Sequence, residues 1–375
     1  MKLLKLLFRV AASVVIFVAI LELCARLDDF FTYQAPLVGS YSNANLFQRD
    51  QLGRRGIPGA RYKKWQMNSL GYRGPELRSG TVRIVCIGSS ETFGLYEDAG
   101  QEYPRQLERD LNQWAGKPTF EVVNVAYPAQ SVAGAVLRVP EVVETLRPRL
   151  AVIYASPALY AWLPAVNGVS DDPPPARFEW RLAERIRTAG KSLLPGFIQD
   201  QVREFQNRER ERYIRRKIVG QQLMDSLPEE NVNLFHSDLV RLVDALRQRG
   251  VEPVLVTHAT LSEKPVSRND QQMLTEWRRF FPLLTEEGYL DMARRMNATV
   301  RAVATEQHVV LVDAATEIAP GSQNFGDFLH FTTAGAEVMA ARVAEGLEPL
   351  LQAEVSGVAE QTHRTQKNGN QRDGN

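Results

Sequence analysis

Apolar runs and amphipathic stretches alternate between residues 82 and 350. Five short apolar runs have the character of buried strands, at 82–88, 120–126, 150–155, 253–257 and 308–312. Stretches with helical periodicity lie between and after them, at 103–114, 131–146, 235–249, 286–306 and 333–351. Because buried strands that alternate with helices form parallel sheets covered on both faces, this pattern predicts a three-layer α/β/α sandwich with a central five-stranded parallel sheet.

The first 27 residues follow a different pattern. An uninterrupted apolar run covers residues 10–21, and three basic residues precede it, Lys2, Lys5 and Arg9. Residues 6–23 would span roughly 27 Å as a helix, which is about the thickness of a bilayer core. Basic residues before the run predict a cytoplasmic N-terminus. We therefore expect an N-terminal transmembrane anchor, residues 1–27, in the inner (cytoplasmic) membrane, with the remaining chain on the extracytoplasmic, periplasmic side.

Other interpretations of this segment stay open. A cleaved signal peptide needs small residues at its cleavage site, and Leu23-Cys24-Ala25-Arg26 fits that poorly. A lipoprotein cysteine would follow a small residue, whereas Leu23 is large. A soluble helix is the third alternative.

The remaining chain divides into three parts by composition. Residues 28–80 are polar and rich in turn formers, which indicates a stalk and a lead-in. Residues 81–352 hold the predicted domain, with a helical insertion at 164–232 that is far longer than an ordinary connection. We interpret this insertion as a cap over the site. The tail, residues 353–375, is polar and predicted to be disordered.

Composition adds little beyond this outline. The chain has 375 residues, 45 basic and 44 acidic, so a formal charge of +1 gives no reason to expect nucleic acid as a partner. Its two cysteines, Cys24 and Cys86, predict no disulfide framework. Since metal-ligand and phosphate-binding motifs are missing, we expect neither a metal nor a cofactor.

Candidate chemistry begins directly after the first strand, in Gly88-Ser89-Ser90-Glu91-Thr92-Phe93-Gly94. A serine between a parallel strand and a helix lies where α/β sheets bind ligands. The free N–H groups at a helix start suit a developing oxyanion. Ser89 is an alternative nucleophile, but the spacing to Thr92 and Gly94 favours Ser90.

A second candidate group lies more than 230 residues later, in Asp327-Phe328-Leu329-His330. An aspartate and a histidine three residues apart can lie side by side on one turn. The carboxylate then orients the imidazole and leaves its other nitrogen free to act as a base for a serine. Ser90, Asp327 and His330 are therefore the predicted catalytic triad.

Together these two blocks resemble the SGNH/GDSL hydrolase family, whose first block is Gly-Asp-Ser-x-Thr and whose last is Asp-x-x-His. The similarity spans roughly residues 66–350. The stretch 68–74 and Asn297 resemble features of membrane-anchored bacterial members. The resemblance implies an SGNH, flavodoxin-like fold and a serine esterase.

Three positions depart from the family pattern. Ser89 replaces the aspartate before the nucleophile, Ala129 replaces the oxyanion glycine, and Ala158 replaces the asparagine that would donate to the oxyanion. The resemblance implies an oxyanion site formed by the N–H groups of Ser90 and Ala129. A missing donor costs about 2.7–4 kcal/mol of transition-state stabilisation unless another group replaces it. Candidate replacements are Ser156, Tyr160 and a residue from the insertion. Candidate substrate contacts are Ser89, Ser156, Tyr160 and His258.

Three functions are consistent with these residues. The first is hydrolysis of acyl esters through an acyl-enzyme, with an acylated small molecule, lipid or envelope polysaccharide as substrate. The second is an O-acyltransferase that uses the same triad to acylate envelope glycans. The third is a degenerate envelope protein that binds glycans without turnover, which the loss of the family residues at Ser89 and Ala158 would favour.

Overall fold

The computed structural model describes residues 2–38, 43–161, 212, 220, 222–260, 277–281 and 283–370. Its helices are α1 (Lys2–Tyr33), α2 (Ser90–Phe93), α3 (Tyr103–Trp114), α4 (Val132–Leu146), α5 (Glu229–Arg247), α6 (Trp277–Phe280), α7 (Glu286–Glu306), α8 (Ala314–Glu317) and α9 (Thr333–Asn370). Its strands are β1 (Phe47–Asp50), β2 (Gly53–Gly56), β3 (Arg61–Tyr62), β4 (Trp65–Gln66), β5 (Val82–Gly88), β6 (Phe120–Asn124), β7 (Leu150–Tyr154), β8 (Glu252–Val256) and β9 (Val310–Val312). Two short 3₁₀ helices occupy Asn43–Leu46 and Ala158–Ala161.

The five predicted strands form one parallel sheet in the order β6-β5-β7-β8-β9. Gly88 pairs with Tyr154, Tyr154 with Val256, and Val256 with Val312. The carboxyl ends of these four strands are therefore level, and the loops that follow them meet at one edge. The strand order reverses at β5, and such a switch point opens the crevice in which α/β sheets bind ligands.

Helices cover the sheet in two groups, which confirms the predicted α/β/α sandwich. Helices α3 and α9 pack on each other, with α3 against β6 and α9 against β9. Helix α5 packs on both α4 and α7. Strands β6 and β7 are buried along their whole length, as expected for strands between two helical layers.

Local sequence signals explain why several predicted helix limits are accurate. Helix α3 carries Pro104 in its first turn. The N–H groups of the first turn have no acceptor within the helix, so the missing N–H of proline costs no helix hydrogen bond there. The Ser131 hydroxyl caps α4 by accepting the Gly134 N–H at 3.0 Å. Thr285 caps α7 in the same way, at 3.1 Å from the Gly288 nitrogen.

Other limits differ from the prediction. Strand β9 begins at Val310 because His308 is in the left-handed region, at φ 50°, which is incompatible with a strand. Helix α5 begins at Glu229, inside the predicted insertion, because Pro228 stands before it and two glutamates favour its first turn. The rest of the predicted insertion lies outside the described residues, apart from positions 212, 220 and 222–228.

Helix α9 continues to Asn370, through most of the tail for which we predicted disorder. Beyond Pro349 the segment contains no proline and several good helix formers, including Ala353 and Glu354, so the backbone can extend the helix. The last five residues lie outside the described part of the chain.

The chain divides into two compact units. The first comprises Met1–Gln48, Gly56–Gly71 and Val166–Gln221, and the second comprises Arg49–Arg55, Tyr72–Ala165 and Gln222–Asn375, including the five-stranded sheet. In the first unit α1 extends beyond the predicted 27 residues to Tyr33, and Glu22 pairs with Arg26 at 2.6 Å just after the apolar run. Among the described residues α1 is the one helix long and apolar enough to cross a membrane.

Candidate active site

Ser90 is the first residue of α2 and lies two residues beyond the end of β5. The turn requires glycine at position 88, because a Cβ there would collide with the Thr92 side chain and the Tyr154 carbonyl oxygen. The Thr92 hydroxyl lies 3.2 Å from the Tyr103 hydroxyl, which ties this short helix to α3. The geometry places the Ser90 side chain at the carboxyl edge of the sheet, beside the switch point.

The far end of α2 is held by buried polar contacts. Gly94 ends the helix in the left-handed region at φ 85°. The Arg73 guanidinium donates to the carbonyl oxygens of Phe93 and Gly94 and pairs with Glu102 at 3.0 Å. The Asn124 amide donates to the Thr92 carbonyl oxygen at 2.8 Å. These contacts hold the short helix that begins with Ser90 in place.

The second candidate loop is closed by an antiparallel bridge between Phe325 and Phe331. Within it, one oxygen of Asp327 accepts the N–H groups of Leu329 at 2.9 Å and of His330 at 2.8 Å. This Asx-type turn brings the carboxylate beside the imidazole of the same loop. The Tyr289 hydroxyl donates to the Phe328 carbonyl oxygen at 3.1 Å and anchors the loop to α7.

The two loops bring the three predicted triad residues into one line. His330 Nε2 lies 2.9 Å from Ser90 Oγ, and His330 Nδ1 lies 2.7 Å from the second Asp327 oxygen. Asp327 is buried, whereas Ser90 and His330 remain partly accessible. This arrangement lets a neutral imidazole accept the serine proton while the carboxylate fixes its tautomer.

Electrostatics support the same proton positions. Burial alone would lower the pKa of His330, but the bond to Asp327 and the charges of Asp327, Glu91 and Glu97 outweigh it and raise that pKa above 6.5. Burial would raise the pKa of Asp327, but the bond and charge of His330 and two backbone donors outweigh it and lower that pKa. The aspartate is therefore ionised and stabilises a protonated histidine.

Ala129, the predicted oxyanion residue, occupies a tight turn. The Gln130 N–H bonds to the Tyr127 carbonyl oxygen at 3.0 Å, and Ala129 has φ 62°. Proline followed by a residue with positive φ is typical of a type II turn, where glycine is preferred. Alanine here adopts a conformation that side chains disfavour. In the described part of the chain no hydrogen bond engages the N–H of Ala129 or Ser90.

The four candidate substrate contacts do not face solvent. Ser89, Ser156, Tyr160 and His258 are all buried. The Tyr160 hydroxyl donates its one proton to Asp238 on α5 at 2.8 Å, so that proton is not free to replace the missing oxyanion donor. A position just beyond a strand end predicts the correct edge of the sheet but not the direction of the side chain. The structure instead gives Ser156 and His258 a shared buried partner, Glu91.

Sequence reasoning missed three residues near the triad. Glu91 is buried directly after Ser90, although a charged residue at this position would ordinarily be exposed. The ring of Tyr96, which is 50% exposed, lies 5.6 Å from the His330 ring. Glu97 is fully buried, and burial raises its pKa to about 7. None had a sequence signal of its own, because each depends on contacts between distant segments.

Comparison with known proteins gives two results. A sequence model described as the GDSL-like lipase/acylhydrolase family matches residues 86–338. Solved structures with a similar fold include a lipase/acylhydrolase from Enterococcus faecalis, with 16% identity over 72% of this chain and 96% of that one and a TM-score of 0.42. A GDSL-like lipase from Bacteroides thetaiotaomicron VPI-5482 is 15% identical over 72% of this chain and 89% of that one, with a TM-score of 0.40. No curated protein sequence matches the chain.

Proposed function

Because this chain belongs to the GDSL-like lipase/acylhydrolase family and is a hydrolase of ester bonds, we propose that it cleaves acyl esters through an acyl-enzyme on Ser90. The observation that carries the proposal is the line from Ser90 Oγ through His330 to Asp327, with separations of 2.9 Å and 2.7 Å. These distances lie within the range that direct proton transfer requires.

In the proposed reaction His330 accepts the Ser90 proton as the serine oxygen attacks the acyl carbonyl carbon. The imidazolium then gives that proton to the departing alcohol, which leaves an acyl group on Ser90. Water, deprotonated by the same histidine, then attacks the acyl carbon. The bond to Ser90 breaks, the acid is released, and the imidazolium returns the proton to the Ser90 oxygen. Asp327 holds the histidine in the required tautomer throughout and remains ionised.

The proposed oxyanion site consists of the backbone N–H groups of Ser90 and Ala129. Both groups lack a hydrogen-bond partner within the described residues, and the turn at Ala129 has the φ that a glycine would adopt. The Ser156 hydroxyl donates its one proton to Glu91 at 2.6 Å, so it does not supply the missing third donor. We therefore expect a slower enzyme than a family member with an asparagine donor, by up to about 10²–10³ in kcat.

The apolar helix α1 supports a membrane-bound location for the reaction. Its length exceeds a bilayer core, and Lys2, Lys5 and Arg9 precede the apolar run. We propose that α1 anchors the chain in the inner membrane and that the hydrolase unit lies on the extracytoplasmic side. Acyl esters of envelope polysaccharide or of lipid are then the substrates within reach.

The test is hydrolysis of p-nitrophenyl esters of two to twelve carbons by the full chain in mild detergent. Ser90→Ala and His330→Ala should each abolish turnover, whereas Ser356→Ala, a serine change on the exposed surface of α9, should leave it intact. Full activity in Ser90→Ala would exclude the proposed nucleophile.

The same assay separates hydrolysis from transfer. Added oligosaccharide competes with water for the acyl-enzyme, and mass spectrometry measures the acylated sugar. We expect free acid as the main product. Acylated sugar as the main product would instead establish the acyltransferase alternative.

A further inference from the structure

A buried carboxylate stands directly behind the proposed nucleophile. Glu91 is 1% exposed, and its Oε2 lies 3.0 Å from Ser90 Oγ. Its other oxygen, Oε1, accepts the Ser156 hydroxyl at 2.6 Å and lies 3.0 Å from Nε2 of His258. These four residues come from the ends of β5, β7 and β8, so the level edge of the sheet assembles them.

His258 is fixed in place from several sides. Its ring stacks on Tyr154, with centroids 4.9 Å apart and planes 6° from parallel. Its backbone N–H and carbonyl bond to the Asn297 side chain at 2.7 Å and 2.9 Å. Within the described residues its buried Nδ1 has no hydrogen-bond partner. The rigid ring therefore contributes one directed contact, which is the bond to Glu91.

The Ser90 hydroxyl has one hydrogen and two acceptors close to it. Glu91 Oε2 lies at 3.0 Å and His330 Nε2 at 2.9 Å, so these two acceptors are no more than about 6 Å apart. When the imidazole is protonated, its Nε2–H donates to the serine oxygen, and the serine hydrogen points to Glu91. When the imidazole is neutral, the same hydrogen turns to His330 Nε2 for the proton transfer. Glu91 therefore holds the hydroxyl beside the base while the imidazole is protonated, and in both states its charge faces the imidazole.

We propose that Glu91, held by His258 and Ser156, is a positioning residue that fixes the Ser90 hydroxyl and adds a second negative charge facing the catalytic imidazole. The inference rests on the proposed function, in which Ser90 and His330 react. It also bears on the departure at position 89, because the carboxylate that the family pattern places before the nucleophile lies after it in this chain.

The charges around this network are consistent with an ionised Glu91. Burial would raise its pKa, but the bond and charge of His258, the charge of His330 and the Ser156 bond outweigh burial and lower that pKa to about 2. Tyr154 and Tyr289 also face the carboxylate and remain neutral, since burial raises the pKa of both. His330 in turn faces Asp327, Glu91 and Glu97.

The experiment measures His330 itself and does not depend on turnover. Full-length protein labelled with ¹³C-histidine is titrated by NMR, and the His330 signal is assigned by its loss in His330→Gln. In Glu91→Gln, which keeps the shape and removes the charge, the His330 pKa should fall by about one pH unit, because an opposite charge within 4–6 Å has been lost.

The matched control is Glu121→Gln. Glu121 is also a buried carboxylate, but it pairs with Arg83 near the amino end of β5, at 2.8 Å. Its replacement by glutamine should therefore leave the His330 titration unchanged. On ester substrate, Glu91→Ala should lower kcat about 10- to 100-fold with little change in KM, and Glu91→Gln should recover part of that loss.

The outcomes separate the two proposals. An unchanged His330 titration in Glu91→Gln, or an unaltered kcat in Glu91→Ala, overturns the role of Glu91 while leaving Ser90 as nucleophile. If wild type hydrolyses no ester but the His330 pKa still falls in Glu91→Gln, the proposed function is overturned. The charge coupling between Glu91 and His330 then remains. A shift of equal size in Glu121→Gln would also contradict the inference.

Discussion

Replacing Glu97 with glutamine should make the folded state less sensitive to pH. Glu97 is fully buried in the loop between α2 and α3, and its Oε1 has no hydrogen-bond partner among the described residues. Its other oxygen accepts the Tyr96 N–H at 3.0 Å. Burial is the main cause that raises its pKa from 4.5 to about 7, and Arg73 compensates only in part.

The magnitude follows from this difference in pKa. Each pKa unit corresponds to 1.36 kcal/mol, so ionising Glu97 in the folded state costs about 3 kcal/mol more than in the unfolded chain. The folded pKa lies above the unfolded value. The stabilising contribution is therefore complete below about pH 4.5 and disappears as the pH rises through 7. Glutamine cannot ionise, so the free energy of unfolding of Glu97→Gln should not fall over this pH range for this reason.

Urea unfolding of the full chain in mild detergent, at several pH values from 5 to 8.5, measures this effect. Wild type should lose about 2.5 kcal/mol relative to Glu97→Gln over this interval, because part of the loss has already occurred by pH 5. Glu76→Gln, in the segment before β5, serves as a control for losing one carboxylate. Parallel stability curves for wild type and Glu97→Gln would refute a buried carboxyl with a raised pKa.

Four further predictions follow from the same structure. Asp327→Asn should lower kcat by about 10⁴ with KM nearly constant, because the imidazole is no longer held in the required tautomer. A change in KM alone, measured by steady-state kinetics, would contradict this role of Asp327. The wild-type kcat/KM should fall at low pH with an apparent pKa above 6.5, since burial is outweighed by acidic neighbours that keep His330 protonated; a fall centred below 6 would contradict this. Ala129→Gly should raise stability by about 0.5–1 kcal/mol by removing the left-handed strain, as thermal unfolding can measure. Val15→Arg should release the chain from membranes on carbonate extraction, because a central arginine costs about 2.5–3.5 kcal/mol.

Much of the fold could be predicted because local signals agree with it. The limits of β5, α3 and α7 match the sequence pattern, since turn formers, Pro104 and the Thr285 cap mark them. The limits that differ depend on information outside a local window. The left-handed conformation of His308 shortens β9, and a helix continues where composition alone indicated disorder.

The candidate site was predictable to a different degree. Ser90, Asp327 and His330 belong to two compact motifs, and the structure brings these motifs together. Glu91 could not be predicted, because its partner His258 lies 167 residues away and no spacing rule connects them. Strand-end residues such as Ser156 were assigned to the correct edge but face the interior, which only packing determines.

The most direct test of the central claim is to map where a serine-directed fluorophosphonate attaches to the full-length protein. Phosphonates react with a serine that a neighbouring imidazole activates, so the label reports the proton-transfer line itself. Tandem mass spectrometry should place the label on Ser90, with labelling lost in His330→Ala and slowed in Asp327→Asn. A label on Ser89, or labelling that persists in His330→Ala, would contradict a site built from Ser90, His330 and Asp327.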